Sequence, residues 1–524
     1  VDLREEVSMS LGASTRIDAD VCVIGAGAGG AVTAAELAEG GMRVVVLEEG
    51  HWHDPDRFTG RPPQMLARLY RDGGQTLTLG NPPIMLPLGR GLGGTTLVNS
   101  GTCFRTPPSV LERWAREFGL EVDEQSLRPC FERVEQALSV SEVTPELAGA
   151  NAAVARRGAE RLGWSHGYLR RNARGCVGSG VCAFGCPTSA KQHTGITYIP
   201  RADAAEARIV TGARVERVLT KSGAALLAES PAASSARSSM SNGGGAARAG
   251  ARKHSPAASG VQARMASGAR LEVRAPIVIL AAGTIHTPLL LARSGLGGHS
   301  GQLGRNLSLH PATAVFARME ETVDMARGVP QSFYVDEFAE EGIVFEGVAG
   351  PPSYAAMALP LTGMRHAEAM TNYRYLAQFG VMVSDSSRGS VRSLAGRPLI
   401  RYDLAHADLH RFRVGLARMR ELFQAAGARE VYLPLPEGVS PERARLRDLK
   451  LMAFHPLGTA RADARPTHGV IDGDLALHGV RGVYVADGSA VPSSLGVNPQ
   501  MTIMALATRL AFSLLGEEVH TCRS

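Results

Sequence analysis

Apolar residues along the chain come in long unbroken runs rather than in alternation. Val21-Cys22-Val23-Ile24 and Val44-Val45-Val46-Leu47 are two such runs, separated by a glycine-rich turn and a helical stretch from about Ala31 to Ala38. Runs without polar alternation suit strands covered on both faces, and strand, helix, strand within about 30 residues is what a parallel crossover requires. A third run, Ile277-Val278-Ile279-Leu280, leads through Ala281-Ala282-Gly283 into an apolar helical stretch that ends near Arg293. Between these, Val210 to Leu219 predicts a strand and Gly260 to Val273 a strand or hairpin. From Ser222 to Ser259 the pattern disappears into Ala, Ser, Gly and Arg. Too few large side chains remain there to offset the entropy of ordering, which predicts a flexible insertion between two strands.

Composition narrows the class. The chain has 524 residues, 44% hydrophobic and 20% charged, which excludes global disorder and predicts two to four compact units at roughly 150 residues each. The net charge of +6 is scattered rather than gathered in runs, so no nucleic-acid footprint is read from it. No stretch of about 18 apolar residues predicts a transmembrane helix. The opening Val1-Asp2-Leu3-Arg4-Glu5-Glu6 lacks the apolar centre of a signal peptide, so a cytoplasmic location is expected, with a removed leader left open by the missing initiator Met. Seven cysteines, an odd number, argue against a full disulfide framework.

The first glycine cluster carries chemistry. Gly25-Ala26-Gly27-Ala28-Gly29-Gly30 follows a strand, precedes a helix, and places Gly25, Gly27 and Gly30 in G-x-G-x-x-G spacing. The first glycine turns the chain, the second lets the backbone approach a pyrophosphate, and the third lets helix and sheet pack closely. Phosphate then meets free N–H groups at the helix N-terminus. Glu48 closes the next strand, 23 residues after Gly25, where a carboxylate accepts from ribose hydroxyls. FAD and NAD fit this arrangement; a 2′-phosphate beside Glu48 does not.

Further segments add to this. Gly89-Arg90-Gly91-Leu92-Gly93-Gly94-Thr95-Thr96-Leu97-Val98-Asn99 is a second glycine-rich loop; Phe454-His455-Pro456 precedes Val485-Ala486-Asp487-Gly488; and Gly496-Val497-Asn498-Pro499-Gln500-Met501-Thr502 enters an apolar helix. From about Ala19 to Leu515 the chain resembles the glucose-methanol-choline (GMC) oxidoreductase family, FAD enzymes, densely at both ends and thinly between about Ala312 and Lys450. The resemblance implies an α/β architecture: a Rossmann-like FAD-binding domain made of 15–105, 205–311 and 455–524, and a substrate domain of 106–204 and 312–454 on a mostly antiparallel sheet covered by helices. It implies that Gly25, Gly27, Gly30 and Glu48 hold the ADP half of FAD, with Val215 near the adenine. Arg90, Gly91, Gly93, Gly94 and Asn99 would border the isoalloxazine and pyrophosphate. Asp487 and Gly488 would face the ribityl region, and Pro499 and Met501 would also contact the cofactor. Some members attach FAD through a His just before the loop Asn. That place is Val98 here, so non-covalent FAD is expected.

Oxidising an alcohol removes a hydroxyl proton as hydride leaves carbon, and an imidazole suits the first task near neutral pH. The resemblance assigns that base to His455 and a hydroxyl-orienting amide to Asn498, which both donates and accepts. Asn498 also suits a plain N-cap ahead of Pro499. His310-Pro311 repeats the His-Pro dipeptide but matches a family segment with a structural role, while His193, His286 and His478 read as ordinary histidines.

Cys176, Cys182 and Cys186 form C-x5-C-x3-C-P with glycines between. Close thiolates of this kind wrap an iron–sulfur cluster, and a branch of the family resembling FAD-dependent glucose dehydrogenase subunits holds a three-iron cluster at such a spacing. Thiols or a disulfide fit equally, and zinc fits less well for want of a fourth ligand. A cluster implies a quinone or redox protein as electron acceptor; without one, oxygen or a dye-like acceptor follows. The activity expected is oxidation of an alcohol to a carbonyl by hydride transfer to flavin N5. A lyase or decarboxylase of the same family without net redox turnover, and an electron-relay subunit, are the alternatives. Sterol, long-chain, sugar and secondary-metabolite alcohols all fit.

Overall fold

The three apolar runs are strands of one sheet. In the computed structural model, which describes residues 14–222 and 255–518, a five-stranded sheet runs Val483–Val485, Ile277–Leu280, Val21–Ile24, Val44–Glu48, Arg208–Thr211. Every pairing in it is parallel. Side chains of Val21–Ile24 and Val44–Glu48 are buried throughout, because helix Ala28–Glu39 covers one face and the strands Ala213–Lys221 and Ala257–Met265 of another sheet cover the other. The crossover helix Ala28–Glu39 packs against the C-terminal helix Gln500–Leu515. The expected strand from Val210 to Leu219 is in fact two, Arg208–Thr211 and Ala213–Lys221. Gly212, at φ +66°, breaks it, and the second half joins a separate sheet of Ser14–Asp18, Arg270–Arg274, Ala257–Met265 and Ala213–Lys221.

The hairpin expected after Gly260 forms as Ala257–Met265 and Arg270–Arg274, antiparallel. Ala257 to Ser259, taken from sequence as insertion, extends its first strand. Most of the expected insertion, 223–254, lies outside the described residues.

A second large sheet is mostly antiparallel. Its strands run Ile84–Met85, Leu451–Met452, Ala312–Arg318, Leu376–Val383, Ile343–Gly347, Phe333–Val335, His166–Tyr168, with Glu430–Tyr432 paired beside Ala312–Arg318. Helices Pro145–Leu162 and His406–Ala425 pack on it. Each sheet has its own apolar core. Helices Pro108–Phe118 and Glu124–Ala137 pack with the first core through Trp114 and Phe131. Among the described residues no helix is long and apolar enough to cross a membrane.

Candidate active site

A cavity of about 590 Å³ lies where the two sheets meet, the position an open parallel sheet offers a ligand beyond its strand ends. Gly25 and Gly27 open it at the start of helix Ala28–Glu39. Glu48 lines it at the end of its strand and is tied down, its carboxylate accepting from the Ala26 N–H at 2.9 Å and the Gly50 N–H at 2.8 Å. Burial raises its pKa. Gly94, Arg90 and Asn99 line the cavity from the second glycine loop, and Val215 lines it from the strand Ala213–Lys221. Arg90 pairs with Glu49 at 3.4 Å, and Arg71, a residue the sequence did not single out, pairs with the same carboxylate at 3.1 Å. Asn99 donates to Gln500 at the start of the C-terminal helix and accepts from the Gly101 N–H at 3.1 Å.

Asp487 and Gly488 line the cavity too. The Asp487 carboxylate is saturated by the protein: Gly283 N–H at 2.9 Å, Thr287 hydroxyl at 2.5 Å, Ser489 N–H at 2.8 Å and hydroxyl at 2.5 Å. It shapes the wall through neighbouring backbone, and burial raises its pKa.

Four expected cofactor contacts lie behind the wall instead. A side chain at Gly30 would stand 2.0 Å from the Gly25 carbonyl oxygen, at Gly91 2.7 Å from His53, and at Gly93 3.0 Å from His193. Those glycines serve close packing of the turns. Met501 is buried in the first core, since helical periodicity turns it away from Pro499 and Gln500, which do line the cavity.

His455 and Asn498 face the same cavity, His455 Nε2 3.3 Å from the Asn498 amide nitrogen. Burial and the neighbouring His310 hold the His455 pKa well below the usual imidazole value, so it is neutral. The helix cap after Asn498 receives no side-chain hydrogen bond; Asn498 spends its amide on the site rather than on capping. Two further residues belong here. His310 Nδ1 lies 3.4 Å from His455 Nδ1, and Glu346 lies 3.4 Å from Asn498 Nδ2 through its Oε2. Burial raises the Glu346 pKa from 4.5 to about 7. One charge in the otherwise apolar Ile343-Val344-Phe345-Glu346-Gly347 is a sequence signal that could have found it. His286 also lines the cavity, neutral, its pKa lowered by burial to about 4. His193 is buried with its Nδ1 accepting from the Gly195 N–H at 3.2 Å, and His478 contacts the Asp463 carbonyl at 2.9 Å.

Asn498 Oδ1, Glu346 Oε1 and His286 Nε2 are buried without a partner in this one cavity. Buried polar atoms are normally satisfied, so three orphans lining one cavity mark a place for a ligand. The glycine turn fits a dinucleotide: a Cβ at Gly27 would meet only Gly94 Cα, at 3.9 Å, leaving open the approach to the helix N-terminus that phosphate oxygens need.

The three cysteines do not fit a cluster. Cys182 Sγ accepts from Arg171 at 3.2 Å, Cys186 Sγ sits 3.5 Å from both the Thr188 hydroxyl and the Lys191 N–H, and Cys176 packs at the edge of the second core. Among the described residues no group of three His, Cys, Asp or Glu side chains is arranged to hold a metal ion. The iron–sulfur expectation finds no support in this arrangement, since the Cys182 and Cys186 thiols are drawn to different partners. Buried Lys191 occupies the centre instead, donating to the carbonyls of Leu97 (2.9 Å), Asn99 (2.6 Å) and Cys182 (2.8 Å) and so binding the cysteine loop to the second glycine loop. Burial lowers its pKa to about 8, which leaves it charged at neutral pH with a donor for each carbonyl. Lys191→Met should orphan all three and cost about 3 kcal/mol or more, read as a lowered urea midpoint of the holoprotein. The purified protein should show flavin absorption bands alone; stoichiometric iron by metal analysis would restore the cluster.

The comparisons with known proteins agree with this geometry. Residues 66–312 and 385–507 match the N- and C-terminal family models described as GMC oxidoreductase, and residues 18–57 match an FAD binding domain. The chain is 41% identical over 507 residues to an uncharacterized GMC-type oxidoreductase of Mycobacterium tuberculosis, covering 94% of this chain and 75% of that one. It is 27% identical over 529 residues to a long-chain-alcohol oxidase of Arabidopsis thaliana, covering 94% and 66%. Among solved structures, pyridoxine 4-oxidase from Mesorbium loti superposes with a TM-score of 0.69 at 20% identity, covering 94% of this chain and 98% of that one. An Aspergillus oryzae formate oxidase superposes at 0.70 with 16% identity, covering 94% and 97%. These two share the fold.

Proposed function

The chain belongs to the GMC oxidoreductase family, and from that premise we propose that it oxidises the CH–OH group of an alcohol with an apolar body to a carbonyl, using non-covalently bound FAD. The observation that carries this reading is the meeting of His455, Asn498 and Glu346 on one wall of the cavity whose other end is the glycine turn. Bound FAD supplies the two-electron acceptor for hydride. Gly25, Gly27 and the start of helix Ala28–Glu39 would receive its pyrophosphate, and Glu48 its ribose. Val98, buried in the cavity wall, offers no side chain for a covalent bond.

The chain's own contribution is to hold the hydroxyl. His455 and Asn498 place an imidazole nitrogen and an amide within 3.3 Å of each other, so that one oxygen between them can be gripped from two sides and its proton taken by a neighbouring group. Beyond these polar groups the lining is apolar: Val348, Met357, Met382, Met452 and Phe454. Met357 and Phe454 remain 66% and 43% exposed, a greasy entrance suited to an aliphatic or sterol-like alcohol rather than to a sugar. The similarity to a long-chain-alcohol oxidase supports the same substrate class, and with it oxygen as acceptor.

The test is anaerobic mixing of the yellow protein with an alcohol panel. Long-chain or sterol alcohols should bleach the flavin, and peroxide should appear on admitting air. A flavin left oxidised by every alcohol would favour the lyase or decarboxylase alternative and sink this one.

A further inference from the structure

Three short strands outside both large sheets form a sheet of their own, in the order Arg305–Leu307, Gly389–Leu394, Arg397–Arg401. Val391 and Ile400 are buried on its inner side, so by the two-residue alternation of a strand Ser390, Arg392 and Arg401 belong to the outer face. Register puts Ser390 opposite Arg305 on one side and Arg401 on the other. Those two arginines start two strands apart, about 10 Å, while Arg388 and Arg392 precede and follow Ser390 by two residues, about 7 Å each way. Four guanidinium side chains therefore surround one small hydroxyl. They line a cavity of about 520 Å³ that shares no lining residue with the cavity at the glycine turn.

Such a cluster is unfavourable unless an anion answers it. Like charges on neighbouring strands repel, and separations of about 7–10 Å match the screening length of physiological salt, about 8 Å, so salt removes only part of the repulsion. Elsewhere on the surface arginines pair with carboxylates, as Arg43 does with Asp20, Arg264 with Glu216 and Arg365 with Glu437. Among the described residues Arg305, Arg392 and Arg401 have no such partner. Asp403, the acid in the lining, turns its Oδ1 to the Asn81 N–H at 3.0 Å. The acids beneath are satisfied from within: Asp385 accepts from Ser308, Leu309, His310 and Tyr402, and Asp408 from Ser386, Ser387 and Arg411.

The cluster is also fixed in place. A Cβ at Gly389 would stand 2.4 Å from the Arg401 carbonyl oxygen, and one at Gly304 2.3 Å from that of Val391. Strands drawn this close cannot spread to separate their charges. Arg388 is anchored as well, its Nη1 donating to the carbonyls of Asp385 at 3.1 Å and Ser387 at 2.7 Å.

We propose that this cluster is a binding site for a phosphate monoester, held over Ser390. A carboxylate presents two coplanar oxygens, which one guanidinium fork satisfies. A phosphate monoester carries close to two negative charges on three terminal oxygens that point apart, so forks arriving from several sides each find an acceptor. The Ser390 hydroxyl donates from the floor. A dissolved ester and a lipid headgroup present the same chemistry to these groups. Leu79, bridged to Arg401, and Leu394, two residues past Arg392, are 58% and 61% exposed, an apolar border against which acyl chains of a lipid would lie. The site stands apart from the alcohol-oxidation reading and survives or fails without it.

Two titrations of the FAD-loaded holoenzyme at physiological ionic strength test it: calorimetry with glycerol phosphate, and flotation with phosphatidylcholine vesicles carrying phosphatidic acid. Saturable binding of glycerol phosphate supports the site with a dissolved ester as ligand. Binding to the vesicles alone, lost when phosphatidic acid is left out, supports it with a lipid headgroup. Citrate, a carboxylate anion, should bind about tenfold more weakly or worse. Arg305→Gln and Arg401→Gln should each weaken binding about tenfold, the loss of one charge-assisted contact apiece, and Ser390→Asp, which sets a carboxylate where the phosphate rests, should abolish it. None of the three touches the flavin cavity, so an unchanged flavin spectrum certifies the fold. Should Ser390→Asp fail to fold, the double variant Arg305→Gln, Arg401→Gln decides in its place. No saturable binding to either probe, citrate bound as tightly as the phosphate, or wild-type affinity in the folded variants would overturn the proposal.

Discussion

Replacing His455 by alanine is expected to leave a folded, yellow protein whose flavin is bleached by alcohol at least about a hundredfold more slowly, since removal of a proton-transfer group or of an oxyanion donor each costs that much. The expectation follows from the proposed function, in which His455 holds the reacting oxygen. Folding should survive. The ring is only half-buried at the cavity, and its loss leaves His310 with its two backbone donors intact. Stopped-flow bleaching under anaerobic conditions measures the effect, and flavin content with circular dichroism checks the fold. A variant bleached at the wild-type rate would remove His455 from the reaction.

The second large effect separates cofactor binding from folding. Gly27→Val should fold and bind FAD about a hundredfold or more weakly. Gly27 has an ordinary negative φ of −78°, and a Cβ there meets nothing closer than Gly94 Cα at 3.9 Å. The apoprotein thus has room for the side chain. The same room is where the pyrophosphate must approach the helix N-terminus, and displacing it forfeits charge-assisted hydrogen bonds of about 1.5–3 kcal/mol each. Two such losses exceed the roughly 2.8 kcal/mol that a hundredfold represents. Gly30 makes the contrast: a Cβ there would stand 2.0 Å from Gly25 O, so Gly30→Ala should damage the crossover itself. Reconstitution of apoprotein with FAD, followed by flavin fluorescence, and thermal melting of both variants distinguish the two outcomes. A Gly27→Val protein that binds FAD normally would show that the turn is not the pyrophosphate site.

Much of the cofactor half was legible because its information is local. The strand runs at Val21, Val44 and Ile277 and the glycine spacing at Gly25 are patterns within one crossover, and their limits were found to within a few residues. Two groups of expected site residues sit differently from the pattern that suggested them. Gly30, Gly91, Gly93 and Met501 sit in the right motifs but turn their backs on the cavity, since a motif says which backbone approaches a ligand and not which atom is in front. The cysteine loop had a suggestive spacing, yet the interior directs the Cys182 and Cys186 thiols to separate partners, Arg171 and the Lys191 N–H.

By itself the amino-acid order determined the parallel sheet and the dinucleotide turn, since each follows from periodicity or chemistry over a short span, and its resemblance to a family singled out His455 and Asn498. Only the tertiary structure decided that His310 stands against His455 across 145 residues and that Glu346 faces Asn498 across 152. Those contacts are made between two sheets with separate cores. Nothing in a one-dimensional pattern records which strand ends meet.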